Sequence, residues 1–242
     1  MEQITFEDLS ATNRADLAKV YKNVFQGSPW YEDRVCSGIL LPEGNVERCT
    51  VQYTPKKIPQ AYEGKLNETT RSGVVGESDF SQTTNCRVCQ KPLIEFYPEF
   101  VNQTQLIAEA MQEEGFSGLL ARCNEELVGF GWGYAMPQTP TPSVDFPRVI
   151  PTLRALGVER EKAFYWSEVG VVEAYQRRGI GRKITQSLLQ ERDQKKYGWL
   201  TLRTKNEAVT KILKDLFPGQ EIKPRFNDPV RGTPWYVLSF SR

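Results

Sequence analysis

The run Gln176-Arg177-Arg178-Gly179-Ile180-Gly181-Arg182-Lys183 has the residue types and spacing to hold a phosphate. Its two glycines permit close approach and unusual backbone angles. If a helix begins there, its first turn offers unpaired N–H groups and the positive end of the helix dipole. Arg177, Arg178, Arg182 and Lys183 add positive charge around the same turn, which suits a diphosphate or a 3′-phosphate better than a neutral ligand. A Walker loop needs four residues between its glycines and then Lys-Ser/Thr, and a dinucleotide fingerprint needs a third glycine where this chain has Ile184. Spacing argues against both.

A second constellation lies upstream, where Cys36, Cys49, Cys86 and Cys89 fall within one segment. Cys86-Arg87-Val88-Cys89 is a C-x2-C knuckle, and Cys36 with Cys49 would supply the other two thiolates of a tetrahedral zinc site. The stretch from Glu63 to Asn85 is rich in Gly, Ser, Thr, Asn and Glu and too poor in large apolar side chains to build a core of its own. A structural zinc would offset its chain entropy, whereas disulfides are disfavoured in a reducing compartment. Free thiols in a disordered insertion and a redox pair are the alternatives. Cys123, in an apolar run, reads as a buried core thiol.

Composition narrows the rest. The chain contains no histidine, which removes the commonest general base and the commonest metal ligand together. Base catalysis then falls to a carboxylate, a tyrosine, a cysteine or water. A formal net charge of +1 gives no basic footprint for nucleic acid. No stretch approaches the roughly 20 apolar residues that span a bilayer. Met1 to Leu17 carries neither a basic n-region nor an apolar h-region, so a cytoplasmic protein is expected.

The elements that must position these residues follow from periodicity. Gln3 to Glu7 alternates as a strand, and Thr12 or Asn13 caps a helix carrying Leu17, Val20, Tyr21, Val24 and Phe25. Periodicity is lost from Gly27 to Pro98. It returns as a helix over Val101 to Glu114 and a hairpin, Ser117 to Cys123 and Leu127 to Ala135, turned at Asn124-Glu125 without the preferred glycine. Five prolines between Pro137 and Pro151 predict an irregular connection with at most one short helix near Pro151 to Gly157. Then come a strand over Ala163 to Val172, a helix over Gly179 to Lys196, a strand over Trp199 to Thr204 and a helix over Ala208 to Phe217. Gln220 to Phe226 and Trp235 to Phe240 read as closing strands. The class is α/β, in the α+β sense, with a mixed sheet.

The strand, glycine turn and helix, followed by a strand and Asn206 with the helix after it, resemble the GNAT family of N-acetyltransferases. That family's signature is Gln or Arg, two variable residues, Gly, one variable residue, then Gly or Ala; this chain has Gln176-Arg177-Arg178-Gly179-Ile180-Gly181. The resemblance covers residues 1–26 and 98–242, leaving 27–97 as an irregular, zinc-stabilised insertion. It implies a mostly antiparallel central sheet flanked by helices, with acetyl-CoA as cosubstrate, its pantetheine arm entering between two splayed strands. Main-chain groups of Val169 and Val171 would face that arm or the thioester, amides from Arg177 to Arg182 would hold the diphosphate, and Asn206 would lie beside the coenzyme. Glu168, on the strand, is placed where the family often has its base. The family's usual acid, a tyrosine in the helix after the fifth strand, is missing from Ala208 to Lys214, so Tyr165, Tyr197, Tyr236 or water would replace it.

The function that the resemblance implies is acetyl transfer to a primary amine of a small molecule or peptide in a ternary complex, by a monomer or homodimer. The competing reading is a zinc-containing CoA-binding or adaptor protein, with Trp30, Tyr31 and Tyr53 as an aromatic partner surface.

Overall fold

The computed structural model describes residues 3–26, 34–36, 39–40, 47–54, 72–76, 84–95, 102–141, 144–190, 196–229 and 233–240. Trp30, Tyr31, most of the Glu63 to Asn85 stretch and residues 191–195 of the expected long helix lie outside these. Contacts divide the chain into two units, Met1–Val20 with Thr104–Arg242, and Tyr21–Gln103.

In the first unit, strands β1 (Ile4–Asp8), β8 (Ser117–Cys123), β9 (Glu126–Ala135), β10 (Ala163–Val171), β11 (Trp199–Arg203), β12 (Phe226–Asn227) and β13 (Pro234–Ser239) form one sheet. Their order is β1-β8-β9-β10-β11-β13-β12. Every neighbouring pair is antiparallel except β10 with β11. The α/β class and the mostly antiparallel sheet are thus observed.

Two helices cover one face of that sheet. Helix α4 (Ile180–Gln190) buries Ile180, Ile184, Leu188 and Leu189, the stripe its sequence predicts. It lies close because β9 presents glycines to it: a methyl group built on Gly131 would sit 2.8 Å from Ile184 Cγ2. Helix α5 (Glu207–Leu216) buries Val209 and Leu213, and these join Phe164, Trp166, Leu200 and Leu202 of the strands in the main core. The opposite face is aromatic. Phe130, Trp132 and Tyr134 alternate with the glycines along β9, and Tyr134 and Tyr165, cross-strand partners, lie 5.7 Å apart between ring centroids.

Three local expectations are corrected. The proline-rich connection holds a longer helix, α3 (Phe146–Ala155), in place of a short one near Pro151. Phe146, Val149 and Leu153 form its buried stripe, while Pro147 sits in the first turn, where its missing N–H is not needed. Pro151 follows on the same exposed side. The expected strand over Gln220 to Phe226 reduces to Phe226–Asn227, because the Gln220 side chain takes over the pairing. Its Nε2 donates to the Ser239 carbonyl at 2.6 Å, and the Ser239 amide donates back to Oε1 at 3.2 Å. The helix expected over Val101 to Glu114 is α2 (Gln103–Ala110), shorter at its C-terminal end.

The hairpin between β8 and β9 turns at Asn124 and Glu125, whose φ values are +47° and +70°. Positive φ at both central residues is the left-handed geometry whose twist matches the flanking strands, here adopted without glycine.

The second unit contains β2 (Arg34–Cys36), β3 (Ile39–Leu40), β4 (Glu47–Arg48), β5 (Thr50–Thr54), β6 (Ser72–Gly76) and β7 (Leu93–Glu95). They make a four-stranded sheet, β6-β5-β2-β7, and a two-stranded one, β3-β4. Strands of two to five residues are too short for a period of two to stand out, which is why this segment reads as aperiodic. Its core is small: Cys36, Cys49, Val51, Tyr53 and Cys86, with Val88, Cys89 and Leu93 against it. Helix α1 (Arg14–Phe25) belongs to the first unit up to Val20 and to the second from Tyr21. Among the described residues, no helix is long and apolar enough to cross a membrane.

Candidate active site and cysteine cluster

The parallel pairing of β10 with β11 runs only from Ala163↔Trp199 to Trp166↔Leu202. Beyond it, β10 continues to Val171 paired with β9 alone, so a gap opens between β10 and β11. The Val172 amide donates to the Val128 carbonyl at 2.9 Å, towards β9. Backbone groups alternate along a strand, so Val169 and Val171 turn theirs towards the gap. The Val171 carbonyl accepts from Gln176 Nε2 at 3.1 Å, which fixes the first residue of the glycine motif against the end of β10.

A turn over Glu173–Tyr175 then leads into the glycine run. Arg177 has φ +62° and Gly179 φ +81°, and the chain enters α4 at Ile180. The first backbone bond of this helix runs from the Lys183 amide to the Gly179 carbonyl at 2.9 Å, so the preceding amides stand ahead of the helical ladder. A Cβ at Gly179 would meet nothing within 4 Å. Only the positive φ asks for glycine there. At Gly181 a Cβ would lie 3.6 Å from Val171 Cγ2 and 3.7 Å from Ile212 Cδ1, room for a methyl group and little more.

The basic side chains of the run are partly engaged: Arg178 stacks over the Tyr175 ring at 5.0 Å, and Arg182 pairs with Asp215 at 3.2 Å on the surface. Asn206 caps α5, its Oδ1 accepting from the Ala208 amide at 2.9 Å. Its Nδ2 is left for other partners.

On the aromatic face, a bulge in β10 shifts the register between Trp166 and Glu168. The extra residue, Ser167, and Glu168 are thereby brought to the same side as Tyr165, with Trp132 the cross-strand partner of Glu168. Tyr165 is 2 % exposed and walled by Phe146 at 5.0 Å and Trp235 at 5.6 Å, in the paired part of β10 below the gap. Glu168 is half-buried at the level where the strands separate.

Residues that sequence reasoning did not single out gather around these two. The Tyr134 hydroxyl donates to Ser167 Oγ at 3.3 Å. Burial first, then the neighbouring Tyr165, Glu168 and Glu113, push the Tyr134 phenol far above its ordinary pKa, so it stays protonated. Arg203, at the end of β11, forms a buried ion pair with Asp228 at 3.1 Å. Burial works against its charge, but Tyr165, Asp228 and Glu168 outweigh that and hold the guanidinium protonated. Spacing alone carried no signal for either residue; the bulge and the strand order bring them to Glu168. Tyr134 and Ser167 also line a cavity of about 490 Å³ together with residues of α2 and the turn after it.

In the second unit, the Sγ atoms of Cys36, Cys49, Cys86 and Cys89 all lie within 4.8 Å of one another. Cys36 and Cys89 are 3.1 Å apart and Cys49 and Cys86 3.8 Å. No disulfide joins them. Zinc with Zn–S bonds of about 2.3 Å would set sulfur–sulfur edges of about 3.8 Å, which the Cys49–Cys86 pair matches and the Cys36–Cys89 pair undercuts. The knuckle is built by Cys86 and Lys91, whose backbones bond at 2.8 Å, and by Gln90 at φ +60°. Burial raises the Cys86 thiol, but hydrogen bonds from the Tyr53 hydroxyl and the Cys89 and Val88 amides bring it down to about 7. Burial holds Cys49 up at about 11. Tyr53 in turn accepts from the Arg87 amide at 2.8 Å, so its hydroxyl is held in place to donate to the Cys86 sulfur at 3.4 Å.

No curated protein matches the sequence significantly. Similar solved structures include an N-acetyltransferase from Thermoplasma acidophilum in complex with coenzyme A, at 10% identity and TM-score 0.49 over 98% of this chain and 99% of that one. An acetyltransferase from Thermus thermophilus has 12% identity and TM-score 0.48, over 99% of this chain and 100% of that one. A ribosomal-protein alanine N-acetyltransferase from Escherichia coli has 10% identity and TM-score 0.45, over 99% and 96%. The family model for GNAT acetyltransferases matches residues 86–216, more than half of the sequence and the whole of the strand, glycine turn and helix. The chain belongs to the GNAT acetyltransferase family.

Proposed function

We propose that this protein moves the acetyl group of acetyl-CoA to a primary amine by direct attack in a ternary complex. The observation that carries the reading is the gap between β10 and β11, which ends on the amides at the start of α4. In this reading the diphosphate rests on the amides of Arg177, Arg178, Gly179, Ile180, Gly181 and Arg182, where helix dipole and unpaired N–H groups act together. Gln176 keeps that turn against β10. The pantetheine arm lies in the gap beside the main chain of Val169 and Val171, and Asn206 Nδ2 offers it a donor.

The amine must be neutral to attack. Glu168, directly or through a water, takes its proton as the N–C bond forms and the C–S bond breaks. A main-chain N–H facing the gap stabilises the negative charge growing on the carbonyl oxygen. Coenzyme A leaves as a thiolate, with an ordinary thiol pKa of about 8.5, and water is a sufficient proton source near neutrality. Tyr165, buried among rings, supports the floor beneath Glu168 and takes no proton step in this reading.

Glu168→Gln is expected to lower turnover by about 100-fold or more while coenzyme A binding stays within about twofold. Release of coenzyme A in the presence of an amine, paired with calorimetry, checks both. Unchanged turnover in the variant at neutral and mildly acidic pH would remove Glu168 from the mechanism.

The cysteine cluster is proposed to hold one structural zinc. With four protein thiolates there is no open position, so the ion would stabilise the second unit and take no part in transfer. Purified protein is expected to contain about one zinc per chain by elemental analysis. Absence of metal together with four titratable thiols in the folded state would overturn the assignment.

A further inference from the structure

The cavity beside β10 is lined by Glu109 of α2, by Gln112 and Glu113 of the turn after it, and by Tyr134, Thr141 and Ser167. Its volume, about 490 Å³, is in the range of small-molecule sites. Among the described residues its lining has two carboxylates and no basic side chain. Glu109 accepts from Gln105 Nε2 at 2.6 Å, a neutral donor that leaves its charge uncompensated. Glu113 is half-buried beside it, and burial, then the charge of Glu109, raise its carboxyl above the ordinary value. A cation between the two would relieve both effects.

The other end of the cavity meets the chemistry. Ser167 lines it, and the bulge sets Ser167 and Glu168 side by side on one face. Tyr134 reaches both ends: its hydroxyl donates to Ser167, and it is close enough to Glu113 and to Glu168 to feel both charges. As a protonated phenol it keeps a lone pair free to accept from an ammonium group.

We propose that the acceptor is a small amine carrying a second cationic group, a diamine or polyamine, whose second ammonium is held by Glu109 and Glu113 while the reacting nitrogen is presented to Glu168. This rests on the acetyl-transfer reading for the role of Glu168, but the binding of the second charge does not require turnover. The two carboxylates are specificity residues; neither touches the reacting atoms. A neutral or anionic group at the same place would leave the carboxylates unpaired or repelled, which is how such a pocket discriminates.

The test uses the full chain saturated with coenzyme A, titrated calorimetrically with 1,5-diaminopentane, 1-aminopentane and 5-aminopentanoate. The diamine is expected to bind at least about 10-fold more tightly than either of the others. The combined Glu109→Gln and Glu113→Gln substitutions are expected to remove most of that preference, and Glu113→Gln alone to remove part of it, with 1-aminopentane unaffected. Equal binding of diamine and monoamine, or a preference that survives in the folded double variant, overturns the proposal. If the double variant fails to fold, the single variant and the parent's ranking of the three amines decide. Replacing coenzyme A by acetyl-CoA separates the two claims: a diamine that binds selectively but is never acetylated overturns the transfer reading and leaves the pocket, whereas equal acetylation of diamine and monoamine does the reverse.

Discussion

At the scale of single residues, the site depends on groups kept in an uncomfortable state. Glu113 is the clearest, because its carboxyl is raised by burial and by Glu109. Such a group holds its proton more tightly folded than unfolded. Its favourable contribution is complete below the unfolded pKa and is lost as pH rises through the higher folded value. Glu113→Gln is therefore expected to raise Tm relative to the parent near pH 7 and to lose that advantage near pH 4, about the ordinary carboxyl value. Thermal unfolding at the two pH values measures it; an equal shift at both would show that ionisation of Glu113 is not the cause. Arg203 is shifted upward as well, but by charges that outweigh its burial, and it stays protonated beside Asp228 at the end of β11.

At the scale of elements, the site is a matter of how closely a helix approaches a sheet. Helix α4 meets β9 where a Cβ on Gly131 would fall 2.8 Å from Ile184 Cγ2 and 3.1 Å from the Glu168 carbonyl oxygen. Gly131→Ala must therefore push the helix or the strand aside. It is expected to cost about 1–3 kcal/mol in stability and to weaken coenzyme A binding, because the amide turn moves with α4. Denaturant unfolding and calorimetry check the two effects, and an alanine variant of parental stability would contradict the packing. The glycine run, the apolar stripe of α4 and the strands around it were legible in the sequence because each is a local pattern. The bulge that places Ser167 beside Glu168, and the cavity over Tyr134, were not, since they arise from pairing between segments more than 30 residues apart in the chain. Prolines misled at α3, where Phe146, Val149 and Leu153 outweigh two prolines on the exposed side. The Gln220 side chain replaces a strand in a way that no periodicity announces.

At the scale of the whole molecule, the chain combines two kinds of stability. The first unit has a broad core between sheet and helices, and the proposed function uses the one place where β10 and β11 stop pairing. The second has short strands around four cysteine sulfurs, and under the zinc proposal its order would be tied to the bound ion. The account stands on the claim that the amides after Gln176 bind the diphosphate of coenzyme A. Residue-resolved amide hydrogen exchange with and without coenzyme A tests it most directly. The account predicts new protection at Gly179, Ile180, Gly181 and Arg182 and at Val169 and Val171 along the gap. Protection confined to other parts of the chain, with these amides exchanging at unchanged rates, would contradict it.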